Sequence, residues 1–123
     1  MKRIFLPFGM MFSLMTAFSG GCGSSDAPAV PPMTADAVLI DVRSEAEYNS
    51  GHVRGAILIP HDRIGEKIAA AAPEKKRPVY LYCRSGRRSG IAAETLKSLK
   101  YAAVYNLGSL EDALQFLGRP LEK

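Results

Sequence analysis

From Val38 onward, short apolar runs alternate with amphipathic stretches. Val38-Leu39-Ile40-Asp41-Val42 is rich in β-branched residues and predicts a buried strand. Ser44-Glu45-Ala46-Glu47 has the form of a capping box, opening a short helix through Tyr48 that Asn49-Ser50-Gly51 breaks. Ala56 to Ile59 is a second short run, stopped by Pro60. Asp62 is placed to cap a helix whose Ile64, Ile68 and Ala72 share one face, and Pro73 ends it. Val79 to Tyr82 predicts a third strand. Ser89 to Lys100 predicts an amphipathic helix, with Ile91, Thr95, Leu96 and Leu99 inward and Glu94, Lys97 and Lys100 outward. Ala103-Val104-Tyr105 predicts a fourth strand, and the second capping box, Ser109-Leu110-Glu111-Asp112, opens a last helix that stops near Gly118.

Strands alternating with helices imply an α/β fold: a small, mostly parallel sheet of four to five strands with helices on both faces. At 123 residues the chain holds one globular domain, placed at 35–123, and its 47% apolar content with mean hydropathy near zero fits a folded domain rather than a disordered chain or a polytopic membrane protein.

The N-terminal part is of another kind. Met1-Lys2-Arg3 is a basic head, Ile4 to Phe18 an apolar stretch too short to span a bilayer comfortably, and Ser19-Gly20-Gly21 a run of small residues. Together, residues 1–21 read as a secretory signal peptide. Cys22 follows at once, so the segment resembles a bacterial lipoprotein signal, although Ser19 stands where such signals usually carry Leu. The resemblance implies a lipid on Cys22, a membrane anchor through it, and an exported, periplasmic domain. Residues 22–34, rich in Gly, Ser and Pro, read as the linker holding that domain off the membrane. Of the formal charge of +4, Lys2 and Arg3 supply two, so the basic pI implies no nucleic-acid partner. If Cys22 carries that lipid, Cys83 has no partner for a disulfide; without it, a Cys22–Cys83 bridge is the one pairing open to the two cysteines.

In open parallel sheets ligands bind beyond the carboxyl ends of the strands. The loop leaving the third strand reads Cys83-Arg84-Ser85-Gly86-Arg87-Arg88-Ser89. A tight turn from strand into helix aims successive N–H groups at one point, where the helix dipole adds positive potential. Gly86 permits the turn, and Arg84, Arg87 and Arg88 crowd it. A cysteine at a strand end is by itself as well read as a small buried hydrophobe. In this setting it is read as a thiol that ionises easily, and the same cradle suits an incoming oxyanion. The residues therefore suit a cysteine nucleophile acting on a small anion of sulfur, phosphorus or arsenic.

Three segments in order carry a resemblance to a known family: Leu39-Ile40-Asp41-Val42-Arg43, then Gly51-His52-Val53-Arg54-Gly55-Ala56-Ile57-Leu58-Ile59-Pro60, then Tyr82 to Ser89. From about Val38 to Leu114 the chain resembles a single-domain rhodanese, a sulfurtransferase, most like the small exported rhodaneses of the phage-shock-protein E type. The resemblance implies that Cys83 takes sulfane sulfur from thiosulfate or a similar donor as a persulfide, cradled by Arg84, Ser85, Gly86, Arg87, Arg88 and Ser89, and passes it to cyanide or a thiol. It implies Asp41 and Arg43 as supporting residues that tie the loops around the site, and His52 as a loop-packing residue. It implies neither metal nor organic cofactor, and a monomer is the expected state.

Two other readings stay beside it. One is a persulfide carrier or a partner-binding module of the same fold, without turnover. The other is a cysteine phosphatase or arsenate reductase. Phosphatase loops of the Cys-x5-Arg form end in an arginine, whereas the sixth residue after Cys83 is Ser89.

Overall fold

The computed structural model describes residues 30–123. The expected leader 1–21, Cys22 and the linker up to residue 29 lie outside the described residues. Four parallel strands form the sheet in the order β3-β1-β4-β5: β1 (Val38–Asp41), β3 (Ile57–Leu58), β4 (Val79–Cys83) and β5 (Val104–Ser109). The helices are α1 (Glu45–Ser50), α2 (Ile64–Ala71), α3 (Arg87–Ser98) and α4 (Leu110–Leu117). A separate antiparallel ribbon pairs β2 (His52–Val53) with β6 (Leu121–Glu122). The mostly parallel α/β sheet expected from the sequence is the sheet found.

The period of two along β1 and β4 sorts their side chains into two cores. Val38, Ile40, Val79, Leu81 and Cys83 pack with Ile64 and Ile68 of α2 and Ala92, Ala93 and Leu96 of α3. Leu39, Tyr80 and Tyr82 pack on the other face with Leu107 and Ala113, joined by Tyr48 of α1. Both faces are covered, so both strands are buried at every position. The chain runs from β1 to β3 on one side and then crosses by α2 to β4 on the other. The junction of β1 and β4 is therefore the switch point of the sheet, and Asp41 and Cys83 end these two strands there.

Several local expectations are corrected. Helix α1 continues through Asn49 and Ser50 because the Ser50 hydroxyl bonds the carbonyls of Ala46 and Glu47, and Gly51 ends it with its N–H on the Tyr48 carbonyl. Asp62 does not cap α2: a turn closed by the Arg63 N–H on the Pro60 carbonyl at 2.9 Å leads into the helix, and no side chain caps it. Helix α3 starts two residues earlier, and its inward stripe is Ser89, Ala92, Ala93 and Leu96, leaving Ile91 49% exposed. Bringing Ser89 beneath the loop sets that rotation. Strand β5 ends four residues further along than Ala103–Tyr105 predicts. A register shift against β4, with Gly108 at φ 97°, places Ser109 opposite Cys83.

Candidate active site

Cys83 is the last residue of β4, and α3 begins four residues later. The turn between them is possible because Gly86 adopts φ 95°, ψ −11°, a left-handed conformation that costs glycine little. It brings the Gly86 N–H to 2.9 Å from the Cys83 Sγ and the Ser89 hydroxyl to 3.5 Å. Burial opposes ionisation of the thiol. The Ser89 hydroxyl and the backbone N–H groups of Ser89, Ser85 and Gly86 outweigh it, and the thiol ionises below its ordinary range. The thiol is free and buried.

Arg84, Ser85 and Arg87 stand exposed on the rim of this loop, while Arg88 is half-buried. The Arg88 guanidinium lies within electrostatic reach of the Cys83 thiol. It forms a two-pronged ion pair with Glu47 of α1, at 2.9 and 3.0 Å, which with the Ser44 cap holds the Glu47 carboxyl at a pKa of about 2. Ser89 caps no helix: it is buried under the loop, 2.6 Å from Asn106 Oδ1 and 3.1 Å from the Gly86 carbonyl as well as near Sγ. One hydroxyl proton serves three acceptors there.

The floor on the β1 side is a buried ion pair. Arg43 donates to both carboxylate oxygens of Asp41, at 2.7 to 3.0 Å, and its Nη2 donates to the Gly51 carbonyl at 2.6 Å. Tyr82 of β4 donates its hydroxyl to Asp41 Oδ2 at 2.8 Å and accepts the Val53 N–H at 3.0 Å. Asp41, Arg43 and Tyr82 thus hold β1, β4 and the turn after α1 together. His52 stacks on Tyr48 with ring centroids 3.7 Å apart and meets its carbonyl through Nδ1, a packing contact.

Asn106 escapes the sequence reading. From β5 its Nδ2 donates to the Gly86 carbonyl at 3.1 Å, and its Oδ1 accepts the Gly108 N–H at 2.9 Å together with the Ser89 hydroxyl. It fastens the Cys83 loop to the neighbouring strand. The only signal was one polar residue between apolar Tyr105 and Leu107, which also fits a loop.

A pocket of about 390 Å³ opens beside the loop, lined by Arg43 and Glu47 from beyond β1, Ser50 of α1, Arg84 from beyond β4, and Leu110 and Glu111 from the first turn of α4. Among the described residues, no cluster of His, Cys, Asp or Glu is arranged to hold a metal ion.

Residues 31–113 match the description of the rhodanese-like domain. The thiosulfate sulfurtransferase PspE of Escherichia coli is 44% identical over 81 residues, 66% of this chain and 78% of its own. A protein named sulfurtransferase from Allochromatium vinosum is 38% identical over 74 residues, 60% of this chain and 67% of its own. Among solved structures, a rhodanese with anions from E. coli superposes with a TM-score of 0.64 at 42% identity, covering 70% of this chain and 96% of that one. The chain belongs to the rhodanese-like family, as its three motifs led one to expect.

Proposed function

We propose that this protein is a sulfurtransferase that moves sulfane sulfur from thiosulfate or a similar donor to a thiol or cyanide through a persulfide on Cys83. The observation that carries the reading is the Gly86 N–H set 2.9 Å from the Cys83 Sγ at the opening of a twelve-residue helix. Donors preorganised in this way stabilise a thiolate, and then a terminal persulfide sulfur, without reorganising during the reaction. The thiolate attacks the outer sulfur of thiosulfate. The S–S bond breaks, and sulfite leaves with the electron pair, so no general acid is needed. An acceptor then attacks the outer persulfide sulfur and returns the thiolate, which is covalent catalysis in two half-reactions. The relative named thiosulfate sulfurtransferase, 44% identical, supports the choice of donor.

The phosphatase reading finds little support. Ser89 occupies the sixth position after Cys83, and the nearest candidate clamp, Arg88, is engaged by Glu47.

Incubation of the purified protein with thiosulfate, followed by intact mass and then cyanide, tests the assignment. A gain of one sulfur, absent from Cys83→Ala and discharged as thiocyanate, is the expected result. Sulfur that loads but is never passed to cyanide or small thiols would make the protein a carrier. Failure to load from any sulfane donor would overturn the assignment.

We also propose export and anchoring through Cys22, on the strength of residues 1–22 alone. The full chain expressed in a bacterium should partition with membranes, and Cys22→Ser should release it.

A further inference from the structure

The pocket beside the loop carries no surplus positive charge, although three arginines crowd the motif. Arg43 lines it, but its side chain is only 7% exposed and its guanidinium is matched by Asp41 at 2.7 Å. Arg88 is matched by Glu47, which itself lines the pocket. What remains on the walls is Arg84, which forms no ion pair among the described residues, and the carboxylate of Glu111. The backbone N–H groups of the loop are directed to the thiolate. A donor must therefore bring its charge into a neutral pocket whose wall includes Arg84, the residue next to Cys83. Leu110 adds an apolar wall, and the volume of about 390 Å³ leaves room beyond a small oxyanion.

Resting on the sulfur-transfer reading, we propose that Glu47 is a specificity-determining residue that, by engaging Arg88 and lining the pocket, favours singly charged organic sulfane-sulfur donors over the thiosulfate dianion. The chemistry is the same for both. With an organic thiosulfonate, the Cys83 thiolate attacks the terminal sulfur, its bond to the sulfonyl sulfur breaks, and a sulfinate leaves with the electron pair. One negative charge enters with the donor and one leaves with the sulfinate, and no proton moves. With thiosulfate, two charges must enter.

The test follows from how Coulomb energy scales. Removing one wall charge changes the binding energy of a dianion twice as much as that of a monoanion, so its fold-change is the square of the other. In Glu47→Gln the amide keeps an acceptor for the Ser44 N–H, so the capping box of α1 survives. The second-order rate of persulfide formation would be measured for the parent and this variant, with thiosulfate and with a monoanionic arenethiosulfonate. The expected gain is about threefold for the thiosulfonate and about tenfold for thiosulfate, shrinking toward none as salt screens the pocket. Equal gains with the two donors, or a loss with thiosulfate, would overturn the proposal. Should Glu47→Gln fail to fold, Glu111→Gln applies the same criterion with smaller factors, because that carboxylate is exposed. A parent protein that takes sulfur from neither donor would instead remove the sulfur-transfer reading beneath it.

Discussion

Arg43 grips Asp41 with both Nε and Nη2 in a buried pair at the end of β1, and the same guanidinium reaches the Gly51 carbonyl. A strand end, the turn after α1 and, through Tyr82, the strand that ends in Cys83 meet on one carboxylate. Breaking such a pair leaves an uncompensated charge in the interior, which costs more than the intact pair contributes. Arg43→Met should therefore destabilise the domain by about 3–5 kcal/mol. Arg43→Lys should recover only part of that, since an ammonium cannot serve two carboxylate oxygens and a carbonyl in the same plane. Denaturant unfolding of the three proteins measures this directly. An unchanged midpoint in Arg43→Met would show that the pair contributes nothing.

The thiol of Cys83 is expected to react as a thiolate at lower pH than a free cysteine, because the hydrogen bonds of its loop outweigh burial. The rate of alkylation by iodoacetamide should rise with pH through an inflection below the ordinary thiol value of 9.0. Ser89→Ala should move that inflection upward by removing the hydroxyl 3.5 Å from Sγ. An inflection that stays in place would mean that the Ser89 proton is spent on Asn106 Oδ1, only 2.6 Å away, leaving the backbone N–H groups to stabilise the thiolate.

How much of this was legible in the sequence depended on the range of the interaction. Strand β1, the start of α1, both capping boxes and the Cys83 turn rest on neighbouring residues, and periodicity, Ser-x-x-Glu, Ser-x-x-Asp and Gly86 announced them. Hydropathy alone points Ile91 of α3 inward, yet the helix turns its small residues Ser89, Ala92 and Ala93 to the sheet, with Ser89 held beneath the loop. Asn106 and Gly108 suggest a loop after Tyr105; the register shift against β4 that makes them strand residues is tertiary. For the same reason the role of Asn106 has no local signature, and the bond from Arg88 to Glu47, 41 positions apart, leaves no trace in either segment. The two-residue ribbon of β2 and β6 is too short to give any pattern.

Gly86 is the residue on which the loop geometry turns. A Cβ there would stand 3.4 Å from the Cα of Gly108, a backbone atom that cannot rotate away, and φ 95° is strained for any L side chain. Gly86→Ala should cost about 1–2 kcal/mol of stability. It should also slow persulfide formation by about tenfold or more, because it displaces the N–H set against Sγ. Gly65 of α2 supplies the comparison. Its added Cβ would meet only Thr95 Cγ2 at an ordinary 3.5 Å, so Gly65→Ala should leave sulfur transfer unchanged and raise stability by up to about 1 kcal/mol. Equal effects on activity from the two alanines would show that the left-handed turn is not what matters.

The ion pair of Glu47 with Arg88 gives the domain a defined weakness to acid. Glu47 titrates at about 2 in the folded chain against an ordinary value of 4.5, with the hydrogen bonds from Arg88 as the main cause. A depressed carboxylate pKa means that the unfolded chain binds the proton first. The contribution is therefore complete above about pH 4.5 and is lost as the pH falls toward 2. The pair is about a quarter exposed on each side, so its contribution is on the order of 1 kcal/mol. Melting temperatures of the parent and of Glu47→Gln, taken from pH 6 down to pH 2, isolate it, since every other carboxylate titrates in both proteins. The difference between the two curves should be constant above about pH 5 and close steadily below it. A difference that stays constant down to pH 2 would show that Glu47 draws no stability from its charge. Its tie to Arg88 would then be a neutral hydrogen bond as strong as the ionic one, contrary to the two-pronged geometry at 2.9 and 3.0 Å.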